Sequence, residues 1–319
     1  MGTPEFAVPS LDALVRHGYE VVLAVMQKDK PRDRGREVKP PPVKEYALAA
    51  GIPILQPERL NREPDMVEAI RQVKPDLMVT CAFGQILPQS LLDIPPLGTI
   101  NVHGSLLPAL RGAAPIQWSI INGDKETGIT TMFTDFGIDT GDMLLKEIVE
   151  IPADMTGGEL HDMLSIVGAA TLIKTLQLLE AGKLRRIPQD STKATFAPRF
   201  TKDTGRIDWT KSAEEIHNLV RGTDPWPGAF TGYQGARMRI IRTEPPVLVG
   251  SGDAADMPGG QSVPPGTLLE AGLNGMLVQT GNGVLRVLEI QMPSAKKMRV
   301  ADWVNGHSLE RGTLLGEII

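Results

Sequence analysis

Asn101 and His103 stand two residues apart at the close of an apolar run, Thr99-Ile100-Asn101-Val102-His103, which gives way to Gly104 and then to Ser105-Leu106-Leu107-Pro108. In a strand successive side chains alternate between faces, so the amide and the imidazole project together while Ile100 and Val102 turn into packing. An amide that donates and a ring that moves a proton, fixed side by side where a strand opens into a turn, suit the stabilisation of an oxyanion. The same pair would also serve as a plain polar strand end facing water. A second candidate is Asp135-Phe136-Gly137-Ile138-Asp139-Thr140-Gly141-Asp142. It is either a simple hairpin loop or a carboxylate-bearing one, and where it points decides between them.

The surrounding elements must bring these residues to one place. Glu20 to Met26 and Asp76 to Cys81 are short apolar runs of the kind buried on both faces of a parallel sheet. Helix patterns cover Pro9 to Gly18, with Ser10 as the cap, Glu45 to Ala50 and Met66 to Val73; a short strand fits Ile52 to Leu55. The strand at Asp76 to Cys81 ends at Phe83 and Gly84, and in open α/β sheets ligands bind at the carboxyl ends of strands. Phe83, Ile86 and Leu106 are therefore candidates for a pocket wall. A helix runs to Gly123, strands fit Gly128 to Thr134 and Met143 to Ile148, and Glu159 to Ala181 carries the longest amphipathic stripe.

These signals describe a doubly wound α/β unit with a mostly parallel sheet over residues 1–182, followed by a polar linker at 183–204. Residues 205–319 differ in character. One helix (Ala213 to Val220) precedes short strand patterns at Met238 to Arg242, Thr267 to Ala271, Met276 to Thr280 and Val284 to Ile290, with Gly281-Asn282-Gly283 as a hairpin turn. That spacing suggests a small OB-like β-barrel.

At 319 residues, 41 % hydrophobic and 22 % charged, the chain has the composition of a globular protein in two parts. Cys81 is alone, so no internal disulfide framework exists, and the five histidines show no metal-ligand spacing. Neither the dinucleotide glycine fingerprint nor a nucleoside-triphosphate phosphate loop is present. No signal peptide pattern opens the chain, and no unbroken apolar run approaches the ~18 residues needed to cross a bilayer. Net charge is −5, yet Lys28 to Lys44 holds seven basic residues against three acidic ones, a local +4 that leaves −9 for the rest. With four prolines and no apolar period, this stretch is expected to be an extended, solvated loop.

INVHGSLLP, then RGAAPIQW, then GIDTGDML, whose Asp139 follows Asn101 by 38 residues, resembles the folate-dependent formyltransferases. The likeness runs nearly end to end, from GTPEFAVPSL through the basic stretch to IDWTKSAEEI. It implies a Rossmann-like catalytic domain and a barrel-like second domain. It also implies catalytic roles for Asn101, His103 and Asp139, and folate contacts from Ser105, Leu106, Leu107 and Pro108; Phe83, Gly84 and Ile86, at the neighbouring strand end, are expected to complete the folate site. The donor would be 10-formyltetrahydrofolate, with no metal, and the acceptor the α-amine of methionine on initiator tRNA, in translation initiation. Arg34, flanked by Lys30, Arg32, Arg36 and Lys39, would meet the tRNA acceptor stem. A cytoplasmic location without membrane contact is the expectation from the chain's apolar pattern, while a monomer follows from the same likeness. So does a short strand ahead of Met1-Gly2-Thr3, without which the sheet beside the site would be weaker. Formylation of a sugar-nucleotide amine and a catalytically silent folate or tRNA binder are the competing readings.

Overall fold

Proline sets the start of four helices, where its missing N–H costs nothing and its fixed φ suits the first turn. These are α1 (Val8–Arg16), α2 (Pro42–Ala49), α3 (Pro64–Gln72) and α5 (Pro115–Ile121). The computed structural model describes residues 1–32, 37–246, 263–307 and 309–316. They divide into two compact units, Met1–Ile116 with Glu126–Glu150 and His161–Pro198, and Gln117–Lys125 with Ile151–Leu160 and Arg199–Ile319.

The first unit adds strands β1 (Ala24–Val25), β2 (Lys30–Arg32), β3 (Glu37–Lys39), β4 (Ile54–Leu55), β5 (Met78–Cys81), β6 (Thr99–His103), β7 (Arg111–Gly112), β8 (Glu126–Phe133), β9 (Met143–Glu150) and β10 (Phe196–Ala197), with helices α4 (Gln89–Leu92) and α6 (Gly157–Glu180). β1 and β4 are parallel, as are β5 and β6. Gly2 joins the two pairs: it bridges Cys81 in parallel and its N–H donates to the Val25 carbonyl at 3.0 Å. β8 and β9 add an antiparallel edge. The mostly parallel, doubly wound sheet expected from the apolar runs is thus present. Its register sets Asn101 beside Thr80 and Met132, and His103 beside Thr130. Ile100 and Val102 are buried, and Val102 lies close enough to Gly168 of α6 that a Cβ there would come within 3.0 Å of it.

Several local expectations are corrected. Only Ala24–Val25 of the Glu20 to Met26 run forms ladder. Val21, Val22 and Leu23 line a cavity of about 640 Å³ with Met78, Val79 and Leu176. Ser10 is not a cap but a buried helix residue, its hydroxyl 4.0 Å from Cys81 Sγ, because the chain enters α1 through a 3-10 turn at Glu5–Ala7. Burial pushes the Cys81 thiol up to about 12, which leaves it a neutral packing group. The stretch Lys28 to Lys44 is not a continuous loop: β2 and β3 pair antiparallel, Lys30 opposite Lys39, and Pro42 already begins α2. Prolines hid both, since Pro31 sits in a two-stranded ribbon that demands few N–H donors. α6 is long and apolar enough by length and composition to cross a membrane, although charges interrupt its run; half of that window is buried here, through residues such as Leu164, Leu172 and Leu176.

The polar stretch 183–204 also does more than connect. Ile187 bridges Met143, and β10 pairs in parallel with β7, Phe196 opposite Arg111. Two- and three-residue pairings of this kind leave no period in a sequence.

In the second unit, Ser212 and Glu215 form a reciprocal capping box at the start of α7 (Ala213–Gly222). β11 (Ala229–Tyr233), β12 (Ala236–Thr243), β13 (Leu268–Gly272), β14 (Gly275–Gln279), β15 (Val284–Gln291) and β16 (Met298–Arg299) follow, then α8 (Val300–Trp303). The antiparallel path runs β11-β12-β15-β14-β13, with β16 on β15. Residues 312–316 close it, pairing with β13 through Leu268 and with β11 through the Gly316 N–H to Gly232 carbonyl bond. The core holds Trp209, Ile216, Met238, Val278, Leu285 and Trp303.

His217 is buried there as a neutral ring, Nε2 donating to the Ala153 carbonyl and Nδ1 accepting from Thr243. Burial, the largest cause, lowers its pKa. The unfolded chain therefore takes up a proton first, so stability is full above about pH 6.5 and falls as pH drops below it. Thermal unfolding at pH 7.5 and 5.5 should show that loss, and His217→Gln should flatten it.

Candidate active site

β6 presents both polar side chains at its carboxyl end. The Thr80 hydroxyl of β5 donates to Asn101 Oδ1 at 2.8 Å, which turns the Asn101 NH₂ away from Thr80. His103 is 5 % exposed and its Nε2 donates to the Leu110 carbonyl at 3.0 Å. A carbonyl only accepts, so Nε2 carries a proton and Nδ1 is the edge left for chemistry. That edge faces Asp139 Oδ2 at 3.6 Å, longer than a hydrogen bond and open to a third group. Asp139 Oδ2 itself accepts from the Gly112 N–H at 2.8 Å. The carboxylate is thus anchored by β7, not by the imidazole. Leu110 and Asp139 both have positive φ, 57° and 52°, a region that non-glycine residues seldom occupy and that gathers at functional sites.

The segment after His103 is tightly fixed. Ser105 Oγ donates to the Ala109 carbonyl at 2.7 Å. Thr130 Oγ1 donates to the Ser105 carbonyl at 2.7 Å and accepts from the Leu107 N–H at 3.1 Å, while Lys146 Nζ donates to the Leu107 carbonyl. Leu107 is a core residue, packed with Met132 and Met143; Leu106 and Pro108 stay half-buried. Phe83 likewise belongs to the core, with Val25, Leu60 and Leu91, so it is not an open pocket wall. Ile86 is the exposed member of the expected wall, at 78 %. Gly84 has φ 75°, and Gln27 Nε2 donates to the Phe83 and Gly84 carbonyls at 2.9 and 3.3 Å. Phe136 and Ile138, which the sequence did not single out, stand in solvent on the Asp139 loop, at 88 % and 71 %.

Of the basic candidates, Lys30 and Lys39 are exposed on the β2–β3 hairpin and Arg32 lies in β2, while Arg34 and Arg36 fall outside the described residues. Thr80, Gly112 and Gln189, which hold the site together, gave no signal: a threonine in a strand or a glutamine in a polar stretch has no spacing that marks it.

Residues 1–176 match the family described as Formyl transferase, and residues 199–308 match Formyl transferase, C-terminal domain. The chain belongs to the formyl transferase family. Among relatives of this formyl transferase, a methionyl-tRNA formyltransferase of Ruminiclostridium cellulolyticum is 51 % identical over 317 residues, 99 % of this chain and 98 % of that one. One from Acetivibrio thermocellus is equally similar, at 51 % over the same shares. Solved formyl transferases share the fold at lower identity. WlaRD, a sugar 3N-formyl transferase solved with dTDP and 5-N-formyl-THF, superposes with TM-score 0.64 at 19 % identity, covering 92 % of this chain and 97 % of its own. An N-formyltransferase of Helicobacter canadensis gives 0.64 at 18 %, covering 93 % and 97 %.

Proposed function

We infer that this formyl transferase moves the formyl group of 10-formyltetrahydrofolate to the α-amine of methionine on initiator tRNA, in the cytoplasm and as a single chain. The observation that carries the reading is that Asn101 and His103 stand two apart on β6 while Asp139, 36 residues beyond His103, brings its carboxylate to 3.6 Å from the Nδ1 edge of that ring. All three come from one chain. Similarity to methionyl-tRNA formyltransferases along the whole length favours a tRNA acceptor over a sugar-nucleotide amine.

The chemistry follows from the geometry. Attack of the amine on the formyl carbon forms a C–N bond and places negative charge on the formyl oxygen. The Asn101 amide, already turned by Thr80, and a proton on His103 Nδ1 are donors that need no reorganisation as that charge develops. The proton shed by the amine passes to the Asp139 carboxylate. The bond from carbon to N10 of the folate then breaks, and the electron pair left on N10 takes up the proton that Asp139 received from the amine. Transfer is direct in this reading: the Ser105 hydroxyl is committed to the Ala109 carbonyl and the Cys81 thiol is buried and neutral, so neither is an activated nucleophile.

The β2–β3 hairpin would carry the basic residues toward the acceptor end, where Lys and Arg position a phosphate backbone and make binding salt-dependent. Transfer of labelled formyl from 10-formyltetrahydrofolate is the test, with methionyl-tRNA and a sugar-nucleotide amine as rival acceptors. Only the tRNA should be formylated. Arg34→Ala should raise the KM for tRNA with little change in kcat and lower the salt slope by about 1. An unchanged KM would remove Arg34 from the interface.

A further inference from the structure

We propose that Gln189 is a positioning residue for Asp139, and through it a determinant of turnover. Gln189 lies in the polar stretch after α6, half-buried, and its side chain reaches into the site from the first unit. Its Nε2 donates to two backbone carbonyls of the acidic loop, Asp139 O at 2.8 Å and Gly141 O at 2.8 Å. Its Oε1 accepts from Arg111 Nε at 3.0 Å and from Arg111 Nη2 at 2.8 Å. A carboxamide offers two N–H donors and one oxygen with two lone pairs, so every direction is used. The side chain has one orientation: reversing it would set NH₂ against a guanidinium and oxygen against two carbonyls.

What it joins gives it consequence. Arg111 is 5 % exposed and sits between the two residues that hold the catalytic pair. Leu110 takes the His103 Nε2–H on its carbonyl, and Gly112 gives its N–H to the Asp139 carboxylate. Gln189 therefore ties the main chain of the loop to the same strand that anchors its carboxylate. Without that tie, the Gly112 bond to the carboxylate and the Phe133 bond to the Asp142 carbonyl would remain, and neither grips the main chain of Asp139 itself, which keeps a positive φ beside an imidazole 3.6 Å away. A shift of about 1 Å in a reacting group is enough to cost orders of magnitude in rate.

The inference rests on Asp139 acting as described above, and two substitutions separate its parts. Gln189→Glu keeps both acceptors for Arg111 and removes both donors to the loop; Gln189→Met removes all four contacts. Both variants should lose kcat by about tenfold or more while the KM values for methionyl-tRNA and 10-formyltetrahydrofolate stay within about twofold, and Gln189→Glu should unfold close to the wild-type temperature. Wild-type kcat in Gln189→Glu would show that Gln189 serves Arg111 alone and would overturn the proposal. So would a parallel fall of kcat, both KM values and the unfolding temperature, which marks a scaffold residue. Asp139→Asn is measured beside them. If it turns over normally, the catalytic reading of Asp139 fails and the proposal falls with it; if it is inactive while Gln189→Glu is not, only the proposal fails.

Discussion

Asn101→Ala, His103→Ala and Asp139→Ala are each expected to lower kcat on the order of 10²- to 10³-fold, about 2.7 to 4 kcal/mol of transition-state stabilisation. The size follows from what each group does before substrate arrives. The Asn101 amide is oriented by Thr80, the His103 ring by the Leu110 carbonyl and the Asp139 carboxylate by the Gly112 amide. None has to be recruited during the reaction, so each deletion removes an interaction already aimed at developing charge or at the moving proton. Single-turnover formyl transfer at saturating folate and tRNA isolates that step. Because the three act on one tetrahedral species, the double variant His103→Ala with Asp139→Ala should cost much less than the sum of its parts. Near wild-type turnover in any single variant would take that residue out of the mechanism.

Gly141→Ala should come close to Asp139→Ala in its effect on turnover, although it removes no chemical group. A Cβ on Gly141 would stand 1.8 Å from the Phe133 carbonyl oxygen and 2.9 Å from its carbon. Phe133 is the last residue of β8, held by pairing to β6, and its N–H also donates to the Asp142 carbonyl of the loop at 2.9 Å. The strand has little freedom, so the loop must yield, and Asp139 lies two residues away. Overpacking of this sort costs about 1 to 3 kcal/mol in stability, while a loss of about 10²-fold is expected in kcat. Gly272→Ala, with nothing within 4 Å of the new methyl, is the matched control and should leave both unchanged. A Gly141→Ala protein with full activity would mean that the loop moves without carrying the carboxylate.

β6 was legible because alternation is a local property: Asn101 and His103 had to share a face whatever the fold around them. The helices were legible from their apolar spacing, but not the prolines that open them: the patterns begin at Glu45 and Met66, whereas α2 and α3 start at Pro42 and Pro64. Asp139 was different. Its loop was compatible with an ordinary hairpin, and only likeness to a family tied it to a histidine 36 positions earlier in the chain. The β2–β3 ribbon was hidden by prolines that argue for a loop. The closure of the second unit by residues 312–316 has no strand pattern to announce it, since short bridges take their geometry from neighbours rather than from their own sequence. Thr80 and Gln189 were illegible on the same ground, because a side chain that orients another residue's amide or carbonyl needs only reach and polarity.

The pairing of β10 with β7 also sets a schedule for synthesis. β6, β8 and β9 are all present once Glu150 has been made, and the central sheet can form then. The ties at Thr195 and Ala197 to Leu110, Arg111 and Ala113, and the hold of Gln189 on the acidic loop, arrive only with a segment that follows the whole of α6. At ribosomal rates of ~5–20 residues per second, that interval is roughly 2 to 10 s. For that time the nascent chain has its sheet and the side chains proposed for catalysis without the clamp proposed to fix their spacing, so on this reading competence is acquired later than the fold that displays it.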